Sequence, residues 1–204
     1  MSASEPIAWI ADFAARKGFK YQPDADERWI RVWEPYTTLK TPHRYEHVLE
    51  QTGEIGSMTI ARMLIAMPPG PNAVEREAGA WIAIVQDVRV KGRAAATTET
   101  GQIFGEPLDI VPMKRRKTGD RAFDEWFATF APSSEDLALA ITPSLRKLVV
   151  GWHVPLHFEI RPGGFIVAPI ALHADPTALS WFVSAIHTFG EKAAKHPEGG
   201  PRVR

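Results

Sequence analysis

The sequence predicts an α+β protein: antiparallel sheet with helices packed on one face. Three observations predict it. Segments such as "SMTIARMLIAM" and "LHFEIRPGGFIVAPIAL" are β-rich and bounded by turn residues. Capped helical stripes occur near the N-terminus, after Ser133 and after Asp175. Strands and helices do not alternate regularly, as a doubly wound parallel sheet would require. The expected organisation is one α+β domain over residues 1–197, which could divide into lobes 1–91 and 108–197, with a disordered tail at 198–204.

The elements follow in order. Ser4 can cap a first helix, Pro6 suits its first turn, and Gly18 stops it after Arg16 and Lys17. Ile7, Ile10, Phe13 and Ala14 form its apolar stripe, with Trp9 beside it. "FKYQP" reads as a short strand ended by Pro23, then an acidic loop. "RWIRVWEPY" alternates Trp29, Arg31 and Trp33 against Ile30 and Val32. "SMTIARMLIAM" and "AWIAIVQDVRV" read as buried strands between "TGEIG", "PPGPN" and "KG". Residues 92–107 read as a mobile loop, and "KRRK" at 114–117 as a basic turn.

In the second half, "AFDEWFATFAP" alternates as a strand buried partly on both faces would. Ser133 or Ser134 caps the next helix, whose first turn holds Glu135 and Asp136. Pro143 breaks that helix, and Thr142 caps a second piece, "PSLRKLVV". Pro162 and Gly163 suit the centre of a type II turn, with Phe158 opposite Val167 and Ile160 opposite Phe165. Asp175 caps a last helix with Pro176 first and Leu179, Phe182, Val183, Ile186 and Phe189 as its buried stripe.

Composition narrows the function classes. The chain has 204 residues, 24 basic and 24 acidic, so the average attraction that drives nucleic-acid or anionic-membrane binding is absent. There is no cysteine, which excludes disulfides, thiolate nucleophiles and cysteine-based metal sites. The N-terminus lacks a signal-peptide pattern, and no apolar run approaches the ~20 residues of a membrane span. A cytoplasmic protein is expected.

The order of "WIADFAARKGFKYQP", "RYEHVLEQTGEIGSMTIARMLI", "FDEWFATFAP", "ITPSLRKLVV" and "EIRPGGFIV" resembles a family of uncharacterised bacterial proteins, a domain of unknown function. The shared pattern is a G-aromatic-x-Tyr strand after a helix, a glycine turn joining two strands, a T-P-x-L-R helix and an E-x-R-x-G hairpin. Here that first turn reads "LEQTGEIG", longer than the pattern. The resemblance covers most of the chain. It implies an α+β fold and a soluble or membrane-tethered bacterial protein, and it implies no activity.

The chemistry-bearing candidates are few. In "HRYEH", His43 and His47 are four apart with Glu46 between them. A helix there would put both rings on one face, as zinc sites use; a strand would hold them about 13 Å apart. The local pattern admits both. The resemblance, with its turn at Gly53, favours a strand and therefore no metal site. In that strand Glu46 can pair across the hairpin with Arg62. His153 and His157 are separated by Pro155 in a strand-like segment, and His173 falls on the opposite face of the hairpin. His187 reads as a half-buried helix residue.

No nucleophile elbow, P-loop or dinucleotide fingerprint is present. The chain carries seven tryptophans. Trp29, Arg31 and Trp33 are the interface candidates, since Trp and Arg are enriched at interfaces. The leading expectation is a non-enzymatic module that binds a protein partner or itself, with no cofactor, no metal, no nucleic acid and no membrane span. The alternative is a metal-dependent hydrolase using His43, Glu46 and His47.

Overall fold

The computed structural model describes residues 9–24, 44–67, 76–98, 113–169 and 172–195. The expected cap and first turn at Ser4 and Pro6, the Trp29–Trp33 segment and the tail 198–204 lie outside them. Helix α1 (Trp9–Lys17) leads into β1 (Lys20–Asp24), β2 (Arg44–Gly53), β3 (Gly56–Met67) and β4 (Arg76–Gln86). Then come β5 (Ala94–Thr97), β6 (Lys114–Arg116), α2 (Arg121–Trp126), β7 (Ala128–Ala131), α3 (Ser134–Ala140) and α4 (Pro143–Gly151). The chain continues through β8 (Leu156–Arg161), β9 (Gly164–Pro169) and α5 (Pro176–Ala194).

Among the described residues the strands form one nine-stranded sheet in the order β1-β2-β3-β4-β9-β8-β5-β7-β6. Every pairing is antiparallel. The α+β class and its antiparallel sheet are therefore as the sequence predicts. The register aligns Leu49, Ile60, Ala83, Val167, Phe158 and Ala96 in one row across six strands. These residues share one buried cluster with Ile10 and Phe13 of α1, Phe123 of α2, Leu137 of α3, Leu145 of α4 and Phe182 of α5. The helices thus cover one face.

Local chemistry explains most elements. Ser133, Thr142 and Asp175 accept hydrogen bonds from backbone N–H groups one turn on and cap α3, α4 and α5. In the β8–β9 turn Gly163 has φ 92°, and Phe158 faces Val167 while Ile160 faces Phe165. Along α5, Leu179, Phe182, Ile186 and Phe189 are buried. Phe189 packs on Phe165, Phe158 and Trp152, with ring centroids 4.7, 5.4 and 6.2 Å away.

Three readings are corrected. The segment 92–107 contains β5, fully buried and hydrogen-bonded to β7 and β8. Alanine has little strand preference of its own, and pairing on both sides decides the matter. Just before β5, Gly92 lets α3 approach: a Cβ there would lie 2.6 Å from Ala140 N. Residues 99–107 lie outside the described residues. Strands from both expected lobes therefore share one sheet.

The "KRRK" turn is instead the edge strand β6, Lys114–Arg116, with Lys117 just beyond it. Within "AFDEWFATFAP", only Ala128–Ala131 is strand. Residues 121–126 are helix because Asp120 caps them and Phe123 stacks on Phe127 one turn later, 4.6 Å between centroids.

The middle of the second sheet face is also buried. It carries Ile82, Ile84, Ile166 and Ala168, together with the polar His157 and Glu159.

Candidate functional site

The stretch around His47 is a strand, and it is bent. The β2–β3 register shifts between Glu46 and Leu49, so β2 carries a bulge. His47 occupies it with φ 54°, a left-handed conformation that costs a branched or bulky residue of order 1–3 kcal/mol. What offsets the cost comes from the neighbouring strand. The Tyr21 hydroxyl lies 2.8 Å from His47 Nδ1, and the two rings are nearly parallel with centroids 6.1 Å apart. Beside them Arg62 Nη1 donates to Glu46 Oε1 at 3.2 Å, both side chains mostly shielded. Arg62 has room because Gly79 faces it: a Cβ there would meet Arg62 Nε at 2.8 Å.

The electrostatics of this cluster are internally consistent. Burial lowers the His47 pKa below its ordinary 6.5, Glu46 opposes that shift and Arg62 adds to it. Burial raises the Tyr21 pKa, helped by the negative charges of Asp24 and Glu46. Both rings are therefore neutral near pH 7. The arrangement that fits has Tyr21 donating to Nδ1 and the imidazole proton on Nε2. His47 already uses its lone pair, and the Glu46 carboxylate is committed to Arg62. The cluster can hold a strained bend and offer a donor at Nε2; it does not assemble the acid, base and open metal position of a hydrolase.

The sequence-predicted site residues fare unequally. Trp29, Arg31, Trp33 and His43 lie outside the described residues. Glu46 pairs with Arg62 as expected. His153 precedes β8 in a left-handed conformation, φ 52°, edge-on to Trp126. His157 lies in β8, buried, with Nε2 3.2 Å from Glu159 Oε1. His173 is exposed and beyond β9, not on its opposite face. His187 is half-buried on α5, as expected. Among the described residues, no three His, Asp or Glu side chains gather as metal ligands.

A different arrangement closes the sheet end where β4 stops. Asp87, 5% exposed, accepts from Arg89 N at 2.9 Å, from Arg89 Nε at 3.0 Å and from Arg89 Nη2 at 2.7 Å. Those hydrogen bonds hold its pKa below the usual value, against the effect of burial. Arg89 Nη2 also donates to Glu54 O in the β2–β3 turn at 2.7 Å. Asp87 N donates to Gly163 O and Gly163 N donates to Val90 O, which ties in the β8–β9 turn. Between these anchors Val88 projects at 91% exposure, and Leu139 is exposed on α3 where Gly92 meets it.

This fold has a solved counterpart. The crystal structure of the mycobacterial trehalose monomycolate transport factor A, TtfA, is similar with a TM-score of 0.60, over 95% of this chain and 98% of that one. Sequence identity is 10%, so the likeness shows the fold alone. No protein-family model matches the chain, and no curated protein matches it.

Sequence reasoning missed Tyr21 and the Asp87–Arg89 clamp. Tyr21 meets His47 only because β1 pairs with β2 in one register. The clamp has a local signal, D-x-R at the end of an apolar run, but the apolar pattern of "AWIAIVQDVRV" predicts strand through Val90, whereas β4 ends at Gln86. Glu159 was also legible, since a glutamate two residues from a histidine shares its face on a strand.

Proposed function

We propose that this protein is a non-enzymatic module that binds a protein partner or a second copy of itself. The observation that carries this reading is the pinned loop at Asp87–Val90. Asp87 and Val90 are buried while Val88 between them is almost fully exposed. A valine held outward on a hydrogen-bonded turn loses little conformational entropy on docking, which favours its use as an anchor. On this reading residues 1–197 act as one unit, and the protein belongs with the uncharacterised bacterial proteins it resembles, in the cytoplasm.

The alternative, a metal-dependent hydrolase at His43, Glu46 and His47, is less well supported. Protein groups engage Glu46 and the Nδ1 of His47. A Val88→Glu variant tests the leading reading. Its stability should stay within ~0.5 kcal/mol, because the site is exposed. Sedimentation velocity across a concentration series, and capture of partners from a bacterial lysate, should both show weakened association. Identical sedimentation and an identical set of retained proteins for the two forms would sink this reading.

A further inference from the structure

We propose that the outer edge of β6 docks an extended acidic peptide segment, which adds to the sheet as a further strand. Among the described residues β6 is the last strand at this side of the sheet, paired only with β7. An edge strand presents backbone N–H and C=O groups to any extended chain laid beside it. Four basic residues run consecutively here, Lys114 to Lys117, in a chain whose net charge is zero.

Their roles divide. Arg116 turns back on its own chain. Its Nε donates to Ala131 O at 3.1 Å, its Nη2 to Pro132 O at 2.8 Å and its Nη1 to Ser134 Oγ at 3.4 Å. That grip holds the short strand against β7 beyond its ladder. The following loop is fixed too: Asp124 accepts from Thr118 N, Thr118 Oγ1 and Gly119 N at 2.9, 2.8 and 3.0 Å. The side chains of Lys114, Arg115 and Lys117 are exposed, and beyond the β6–β7 ladder these three residues make no hydrogen bond or ion pair among the described residues, although the Lys117 charge helps lower the Asp124 pKa.

Alternation along β6 puts Lys114 and Arg115 on opposite sheet faces. An acidic strand would thus meet a cation above and below its backbone. Charged edges also discourage pairing of like copies. The same charges that repel a second basic edge attract an acidic one, so partner choice and resistance to self-pairing share one cause. Nucleic acid is the competing ligand for such charge. Backbone presentation by a fixed strand favours the peptide.

The test uses the full chain and three fluorescent probes: a short peptide of alternating Glu and Val, its Lys–Val counterpart, and a short oligothymidylate. Fluorescence anisotropy should show binding of the Glu–Val peptide alone. Lys114→Glu with Arg115→Glu should weaken it about tenfold or more, equivalent to ~1.4 kcal/mol. Hydrogen exchange at residues 114–116 should slow when that peptide is bound. If the double reversal does not fold, Lys114→Ala with Lys117→Ala removes charge more gently and should still weaken binding. Any of three results would overturn the proposal: no peptide binding up to millimolar concentration, binding unaffected by charge removal, or oligothymidylate binding without protection of the β6 amides. These residues are distinct from Val88, so Val88→Glu should bind the peptide normally, and either proposal can fail alone.

Discussion

Gly56 and Gly163 share one backbone conformation but sit in opposite surroundings, and comparing alanine at each separates torsional strain from steric exclusion. Gly56 has φ 84° and Gly163 φ 92°. At Gly163 a Cβ would have no neighbour within 4 Å, so alanine there costs only the left-handed conformation, about 1 kcal/mol. At Gly56 the same Cβ would lie 2.1 Å from Gln86 O and 3.1 Å from Gln86 C. Those are backbone atoms of β4, where Gln86 faces Ser57 in the ladder. The strands must part there, adding the loss of one or two ladder hydrogen bonds at ~1 kcal/mol each to the torsional term. The expected cost is ~3 kcal/mol for Gly56→Ala. For a chain of 204 residues each kcal/mol moves Tm by roughly 2–4 °C. Gly163→Ala should therefore lower Tm by about 2–4 °C and Gly56→Ala by about 6–12 °C. Calorimetry or circular dichroism melts would measure both. Equal shifts for the two variants would refute the close approach of the β2–β3 turn to β4.

Phe189→Ala should cost ~3–5 kcal/mol, seen as a lowered midpoint in urea, because the ring fills the space between Phe165, Phe158 and Trp152. Tyr21→Phe should cost ~0.5–1.5 kcal/mol by removing the hydroxyl from His47 Nδ1, with the loss read from the same titration. The lowered His47 pKa makes stability depend on pH with a definite sign. The unfolded chain takes up a proton near pH 6.5 while the folded one resists, so this contribution is present above 6.5 and is lost as pH falls toward the folded value. Melts of His47→Gln should show a weaker decline across that window. A double-mutant cycle on Glu46→Gln and Arg62→Gln should give a coupling of ~1 kcal/mol.

Legibility in the sequence followed the range of the deciding interaction. The caps at Ser133, Thr142 and Asp175 and the turn at Gly163 were readable because each involves atoms within a few residues. The short α2 was not, since six residues satisfy an alternating pattern and a helical one equally, and the Asp120 cap tips the balance. β5 was illegible for a stronger reason: its partner strand β8 lies some sixty residues later, and nothing within "RAAATTET" signals it. The basic run gave its charge but not its geometry, because only pairing with β7 makes 114–116 a strand. Around "HRYEH" the strand and the Glu46–Arg62 pair were accessible from the hairpin. The bulge depends on Tyr21, 26 residues away, and could not be read locally.

The placement of β9 between β4 and β8 sets the order of events during synthesis. Strands β2 to β4 follow one another in sequence and space, so that meander can form as soon as it is made. The partner of β4 on its other side, however, begins only at Gly164, some 78 residues after Gln86. At a translation rate of roughly 5–20 residues per second, that edge waits about 4–16 s for its neighbour. A nascent chain halted before the β8–β9 hairpin would therefore hold a part-built sheet with its interior edge open, the state most exposed to pairing with another chain. Closing the middle of the sheet falls to the β8–β9 hairpin, made after every other described strand.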